Sequence, residues 1–293
     1  GEARKLFVAP EGMLILGADF SQQEPRLLAH FTQEPVLLEA YRTGKDLYTA
    51  AAAETFGLPP EQCGDGSKYR KMMKMGILAV MYGTGPKTLA GQLGISVDEA
   101  ESFIRQFFEK HPRVAAWIEE NKRFCKRHGY IEMINGWRKR RLPTIWSRDE
   151  WEVYRAERQT TNARIQGSAA IQTKIVMNRL HKWVKEKRAQ GRLFYILATI
   201  HDEILLYVPD DITPDEVIEI EDIMVNTFKL SVPSKTDIEI MSRWGEGIKF
   251  NRAKKMWTIT FKKDGKEIPF EHPDAAYALK RMYDGIKAGW EVE

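Results

Sequence analysis

Two apolar segments, separated by most of the chain, each run into an aspartate. Met13-Leu14-Ile15-Leu16-Gly17-Ala18 ends at Asp19, and the stretch from Leu193 to Ile200 ends at His201-Asp202-Glu203 before Ile204-Leu205-Leu206-Tyr207-Val208 resumes. Segments this short and this apolar read as buried strands. A carboxylate at the tip of a buried strand is costly unless a cation or hydrogen-bond donors meet it. Two such tips that converge make a Mg²⁺ site, because that ion takes hard oxygen ligands, commonly one or two carboxylates plus substrate phosphates. What surrounds the tips points to the phosphates of a nucleotide.

The strands at 12–19, 193–208 and 236–240 predict one small antiparallel sheet, with the mostly helical block 46–145 inserted between them. This is an α+β layout. Lys68 to Tyr82 reads as a helix, stopped by Gly83-Thr84-Gly85-Pro86. Asp149 to Arg188 is a long helical pattern, interrupted near Gly167-Ser168. From Asn251 the texture changes: Trp257 to Phe261 and Glu267 to Phe270 flank Lys263-Asp264-Gly265-Lys266, a hairpin turn, and His272 to Ala288 closes as a helix.

The 293 residues carry a formal charge of +4, and its distribution matters more than its size, since Arg138-Lys139-Arg140-Arg141 concentrates four cations. Such a run is either a solvated loop or a phosphate-backbone contact. The two cysteines, Cys63 and Cys125, lie far from each other and from histidines at metal spacing, so they read as free thiols in a reducing compartment. No apolar run approaches the ~20 residues that cross a bilayer, and no signal peptide is expected from these residues. The expected location is the cytoplasm of a bacterial or phage-infected cell. The chain starts at Gly1 without a methionine, as a cleaved product or a piece of a larger unit would.

Arg70, Lys74, Leu78 and Tyr82 recur every four residues, one slowly drifting stripe on a helix. Two cations at one end and an aromatic at the other would hold the phosphates and the base of one nucleotide; a solvated basic edge with Tyr82 in the core is the plain alternative. A second four-spaced set, Arg158, Asn162 and Gln166, offers donors to sugar, phosphate or base edges. It could equally be an exposed polar face.

In this order and spacing the motifs resemble the family A DNA polymerases, the DNA polymerase I type, over residues 1 to about 250. Asp19-Phe20-Ser21-Gln22-Gln23-Glu24-Pro25-Arg26 is similar to that family's motif A, and Arg70 through Tyr82-Gly83 to motif B. His201-Asp202-Glu203 is similar to motif C, and Arg158, Asn162 and Gln166-Gly167 to the segment before it. The resemblance implies palm and fingers: palm at 1–45 and 146–250, fingers at 46–145, and a C-terminal extension at 251–293. It implies two Mg²⁺ ions held by Asp19 and Asp202 with the backbone carbonyl of Phe20, and dNTP and primer-template DNA as partners. Arg70 and Lys74 would bind the triphosphate, Lys74 donating a proton to the leaving pyrophosphate. Tyr82 and Gln22 would sit at the nucleotide, and Glu24 would exclude a ribose 2′-hydroxyl. His201 and Glu203 would support the primer end, while Arg158, Asn162 and Gln166 would touch the duplex.

The departures from the family pattern are specific. Leu78 replaces an aromatic, so it packs on a sugar without stacking as a flat ring. Tyr48 replaces a phosphate-contacting histidine and offers a neutral hydroxyl, Pro25 replaces a leucine, and the basic loop is one residue longer. Leu78 and the tail lean toward a bacteriophage-type or otherwise divergent member. The family's thumb, first palm strands and any exonuclease precede motif A, so an N-terminal polypeptide or second chain is expected to supply them. The rival readings are a single-subunit RNA polymerase, which Glu24 opposes, a two-metal nuclease, which leaves the Arg70–Tyr82 stripe idle, and a catalytically weak DNA-binding subunit. A phosphate loop at Gly83-Thr84-Gly85-Pro86-Lys87-Thr88 fails because Pro86 stands where glycine is required.

Overall fold

The computed structural model describes residues 2–293. In chain order it contains β1 (Met13–Phe20), α1 (Gln23–Thr32), α2 (Pro35–Thr43), α3 (Leu47–Phe56), α4 (Lys68–Tyr82), α5 (Pro86–Leu93), α6 (Val97–Lys110) and α7 (Pro112–His128). Then come β2 (Tyr130–Glu132), β3 (Lys139–Arg141), α8 (Glu150–Ala189), β4 (Tyr195–Ile200), β5 (Glu203–Pro209), α9 (Pro214–Asn226) and β6 (Thr236–Arg243). The chain ends with β7 (Glu246–Asn251), β8 (Met256–Lys263), β9 (Lys266–His272), α10 (Ala275–Lys287) and β10 (Glu291–Val292). It divides into two compact units, Gly1–Ser21 with Gln172–Lys229 and Ser234–Glu293, and Gln22–Ile171 with Leu230–Pro233.

The first unit is an antiparallel sheet of eight strands. β1 is central, paired with β5 on one side and β6 on the other, so strands from opposite ends of the sequence meet at its Asp19 end. Alternation sorts the side chains of these strands onto two faces. Leu14, Leu16, Ala18 and Phe20 pack with Ile204, Leu206, Ile238 and Ile240 against Val176, Leu180 and Trp183 of α8, together with α9 and α10. The opposite face carries only a small apolar cluster, Ile15, Leu205, Met241 and Trp244. Asp19, Glu203 and Asp237 fall on that face by register.

The sheet is larger than the expected three segments. Ser242 to Gly247 was not legible as a tight hairpin, yet β7 returns along β6, with Gly245 at φ 104° in the turn. β8 then joins β7, so the C-terminal hairpin extends the same sheet. Its turn has Asp264 at φ 50° and Gly265 at φ 73°, the two left-handed residues that a two-residue hairpin needs.

The second unit is helical. Ser67 and Ser96 cap α4 and α6 by accepting bonds from Arg70 N and Glu99 N, and glycines close α2, α3, α4, α5 and α7 in the left-handed conformation. The expected interruption at Gly167-Ser168 is absent: α8 is one continuous helix of 40 residues. These two small residues instead receive a loop. A Cβ on Gly167 would stand 2.5 Å from Met133 Sδ, and the buried Ser168 hydroxyl accepts a bond from Ile134 N at 2.9 Å. That loop connects β2 to β3, and all three residues of β3 belong to the basic run and are exposed. Among the described residues no helix is long and apolar enough to cross a membrane.

Candidate active site

On the open face of the sheet, β1 ends where the β4–β5 hairpin turns. Asp19 lies opposite Glu203 on one neighbour and opposite Asp237 on the other. The backbone secures this end: Phe20 N donates to Asp202 O at 3.1 Å, and the Thr236 hydroxyl donates to Asp19 O at 2.8 Å. His201, exposed at the tip of the hairpin, has φ 56°, an uncommon conformation for a residue with a Cβ and one found where a turn is held by its surroundings.

The Asp202 carboxyl is one of the groups whose proximity disfavours the Asp19 anion. Although Asp19 reaches solvent, partial desolvation, then the charges of Asp202, Glu203 and Asp237, push its carboxyl up to about 7. Glu203 is also raised, chiefly by desolvation, against the pull of Arg4 and a hydrogen bond from Trp244. Its carboxylate lies over Gly17, where a Cβ would stand 3.0 Å from Oε1. Among the described residues no three His, Cys, Asp or Glu side chains form a metal centre. The Asp19–Asp202 pair nevertheless fits a divalent cation whose remaining ligands are phosphates and water: it offers hard oxygen donors where neighbouring acids raise Asp19, a repulsion that a cation would relieve.

The second unit holds the other predicted residues. At the start of α4, Arg70 forks onto Asp46, Nε to Oδ2 at 2.9 Å and Nη2 to Oδ1 at 3.0 Å, and its Nη1 reaches Asp65 at 3.2 Å. Asp46 also caps α3 through Thr49 N. Tyr48 is buried, with its ring beneath the Arg70 guanidinium at 5.6 Å. One turn on, Lys74 is exposed and has no partner among the described residues. Leu78 is half-buried. At the end of α4 the Tyr82 hydroxyl donates to Glu24 Oε2 at 2.6 Å, which ties motif A to motif B within this unit. Gln22, at φ 52°, accepts from the Tyr41 hydroxyl at 2.9 Å.

Tyr82 also lines a pocket of about 190 Å³ with Arg155, Arg158, Gln159 and Asn162 of α8. The two four-spaced stripes, 76 residues apart at Tyr82 and Arg158, therefore share one wall. Gly83 permits the approach, since a Cβ there would meet Arg158 Cβ at 3.1 Å. Gln166, two turns beyond Arg158, is exposed and outside this pocket.

A family model described as DNA polymerase family A matches residues 1–246. The chain belongs to that family. It is 37% identical to the thermostable DNA polymerase I of Thermus filiformis over 243 residues, 83% of this chain and 28% of that protein. To DNA polymerase I of Pseudomonas aeruginosa it is 34% identical over 83% of the chain and 26% of the relative. A solved structure, the POL domain of Pol1 from M. smegmatis in complex with DNA primer-template and dNTP, matches with TM-score 0.75 and 30% identity, covering 82% of this chain and 42% of that one. The α+β architecture is thus that of a family A polymerase domain. The family A chain spans 28% and 26% of the lengths of these two curated relatives.

Sequence reasoning missed several residues that shape this family A site. Asp237, Thr236 and Trp244 lie on or just after β6, where strand alternation alone does not reveal which neighbour each will face. Asp46 and Asp65 were missed as partners of Arg70, although a lone buried-edge arginine signals that an acid will be near.

Proposed function

We propose that the chain carries out template-directed DNA synthesis, transferring a nucleotide from a dNTP to a primer 3′-hydroxyl. The observation that supports this most is that Asp19, at the end of β1, meets the β4–β5 turn that carries Asp202, the two segments tied by the Phe20 N to Asp202 O bond at 3.1 Å. In this reading Asp19, Asp202 and the Phe20 carbonyl hold two Mg²⁺ ions. When bound, they supply charge neutralisation and a more acidic primer hydroxyl.

The chain's own groups do the rest. Lys74 binds the triphosphate and delivers a proton to the leaving pyrophosphate. Arg70 exchanges Asp46 and Asp65 for phosphate oxygens, a favourable trade because a polyphosphate brings more charge than two exposed carboxylates. Glu24, held by Tyr82, fills the space a 2′-hydroxyl would need. Gln22, Leu78 and Tyr48 flank the nucleotide, and Arg158, Asn162, Gln166, His201 and Glu203 contact DNA. Little covalent work falls to the protein, so positioning and electrostatics carry the rate. The reading also expects a further polypeptide, covalent or separate, to grip the duplex, as the greater length of the relatives supports.

The test is primer extension with Mg²⁺ and dNTPs, the chain alone and with added N-terminal polypeptide. Extension that falls by at least ~100-fold in Asp202→Asn supports the reading. Extension unaffected by Asp202→Asn overturns it, as does equal use of ribonucleotides for its deoxynucleotide choice.

A further inference from the structure

We infer that the first turns of α8 form a stacking platform for unpaired template nucleotides. The inference rests on the polymerase reading and extends it to Trp151, Tyr154 and Arg155, which lie outside the motifs. At 100° per residue, Trp151, Tyr154, Arg155, Arg158 and Asn162 share one face of α8. The acids of this segment point elsewhere: Glu150 and Glu152 lie about a quarter-turn to either side, and Glu157 is engaged by Lys126 at 2.6 Å.

Two large aromatics on this face are open to solvent, Trp151 at 62% and Tyr154 at 43%. They form a ladder. The Trp151 and Tyr154 rings are 5.7 Å apart at 31°, and the Arg158 guanidinium lies 5.6 Å from the Tyr154 ring. Arg158 in turn lines the Tyr82 pocket with Arg155 and Asn162. An apolar and cationic track therefore leads out of the pocket lined by Tyr82, the residue read as sitting at the nucleotide, and by the proposed DNA contacts Arg158 and Asn162. Arg155 is exposed with no partner among the described residues, and Arg148 just before the helix likewise.

Exposed tryptophan and tyrosine rings interleaved with unpaired arginines are what a single strand needs: a flat face for each base and a cation for each phosphate. A duplex hides its base faces, so it gains nothing from this ladder. The occupant that fits is the single-stranded template ahead of the primer end. Charge complementarity and continuity with the proposed duplex contacts on the same helix both favour it over a protein partner.

The test uses the whole chain and fluorescently labelled primer-template duplexes, one blunt and one with a template overhang of eight thymidines, read by anisotropy at fixed salt. The overhang is expected to tighten binding about tenfold. Trp151→Ala with Tyr154→Ala should abolish that gain and leave blunt-duplex affinity unchanged; Trp151→Phe, which keeps a flat ring, should retain most of it. Arg155→Gln should reduce the salt dependence of the overhang gain by about one ion. An overhang that adds nothing, or a double variant that weakens both duplexes equally, overturns the inference. So does loss of self-association in the double variant without any change in overhang binding, since the face would then be a contact between copies. If blunt duplex is not bound by the chain alone, as the need for a further polypeptide to grip it allows, an eight-thymidine oligonucleotide alone still decides whether the ladder binds a single strand, and the polymerase reading stands or falls on the Asp202→Asn extension test.

Discussion

At the scale of single residues, the site is a problem of like charge. Asp19 has acids opposite it on both neighbouring strands, and the charge of a third carboxyl, Asp202, also acts on it. Its carboxyl, raised to about 7 from 3.8, is disfavoured as an anion in the folded chain. The stability this group contributes is therefore fully present below about pH 3.8 and is lost as pH rises through about 7. Removing one partner relieves it. In Asp202→Asn the Asp19 carboxyl should titrate at lower pH, as read by carboxyl carbon NMR of the metal-free protein. An unchanged midpoint would mean that desolvation, with Glu203 and Asp237, holds it up without Asp202. The aspartates were legible in the sequence because each ends an apolar strand. Asp237 was not, because it lies one residue into a strand of mixed polarity and matters only through its partner across β1.

At the scale of elements, a glycine in a helical pattern has two meanings, and α8 separates them. Gly167 costs about 1 kcal/mol of helix propensity relative to alanine, which argues for a break. The structure keeps the helix continuous and uses the missing Cβ to seat Met133, with Ser168 holding the next residue of the same loop. A sequence shows the glycine but not the loop that arrives 34 residues earlier in the chain. Gly167→Ala is therefore expected to lose about 1 kcal/mol of stability in thermal or denaturant unfolding, the overpacking outweighing the propensity gain. Pairing it with Met133→Ala should recover part of the loss, since the two changes act on one contact. A stabilised Gly167→Ala would restore the view that the glycine weakens the helix for its own sake. The hairpin β6–β7 was missed for a related reason, its turn being set by Gly245 within a segment whose apolar residues do not alternate cleanly.

At the scale of the whole molecule, the two units respond to acid with opposite sign in the groups that shift most. The second unit buries His111 completely, between α6 and α7, with Nε2 on the Thr55 hydroxyl at 3.0 Å. Burial lowers its imidazole to about 4 from 6.5. The folded state thus holds it neutral while the unfolded chain protonates it, so the stability it contributes is present above pH 6.5 and is lost as pH falls toward about 4. That loss is roughly 3 kcal/mol for a group with no solvent to screen it. His30 in the same unit is lowered by burial and acts in the same direction, while the raised Glu34 partly offsets both. In the first unit the raised Asp19 makes acid stabilising over much of the same range. Hydrogen exchange of the metal-free chain, corrected for intrinsic rates, should show α6 and α7 losing protection between about pH 6.5 and 4.5 while β1 and β5 keep theirs. His111→Gln, neutral at every pH, should flatten the response of α6 and α7 alone. Protection that falls in parallel across both units, or an unchanged acid response in His111→Gln, would mean that the buried imidazole is not what makes the helical unit acid-sensitive.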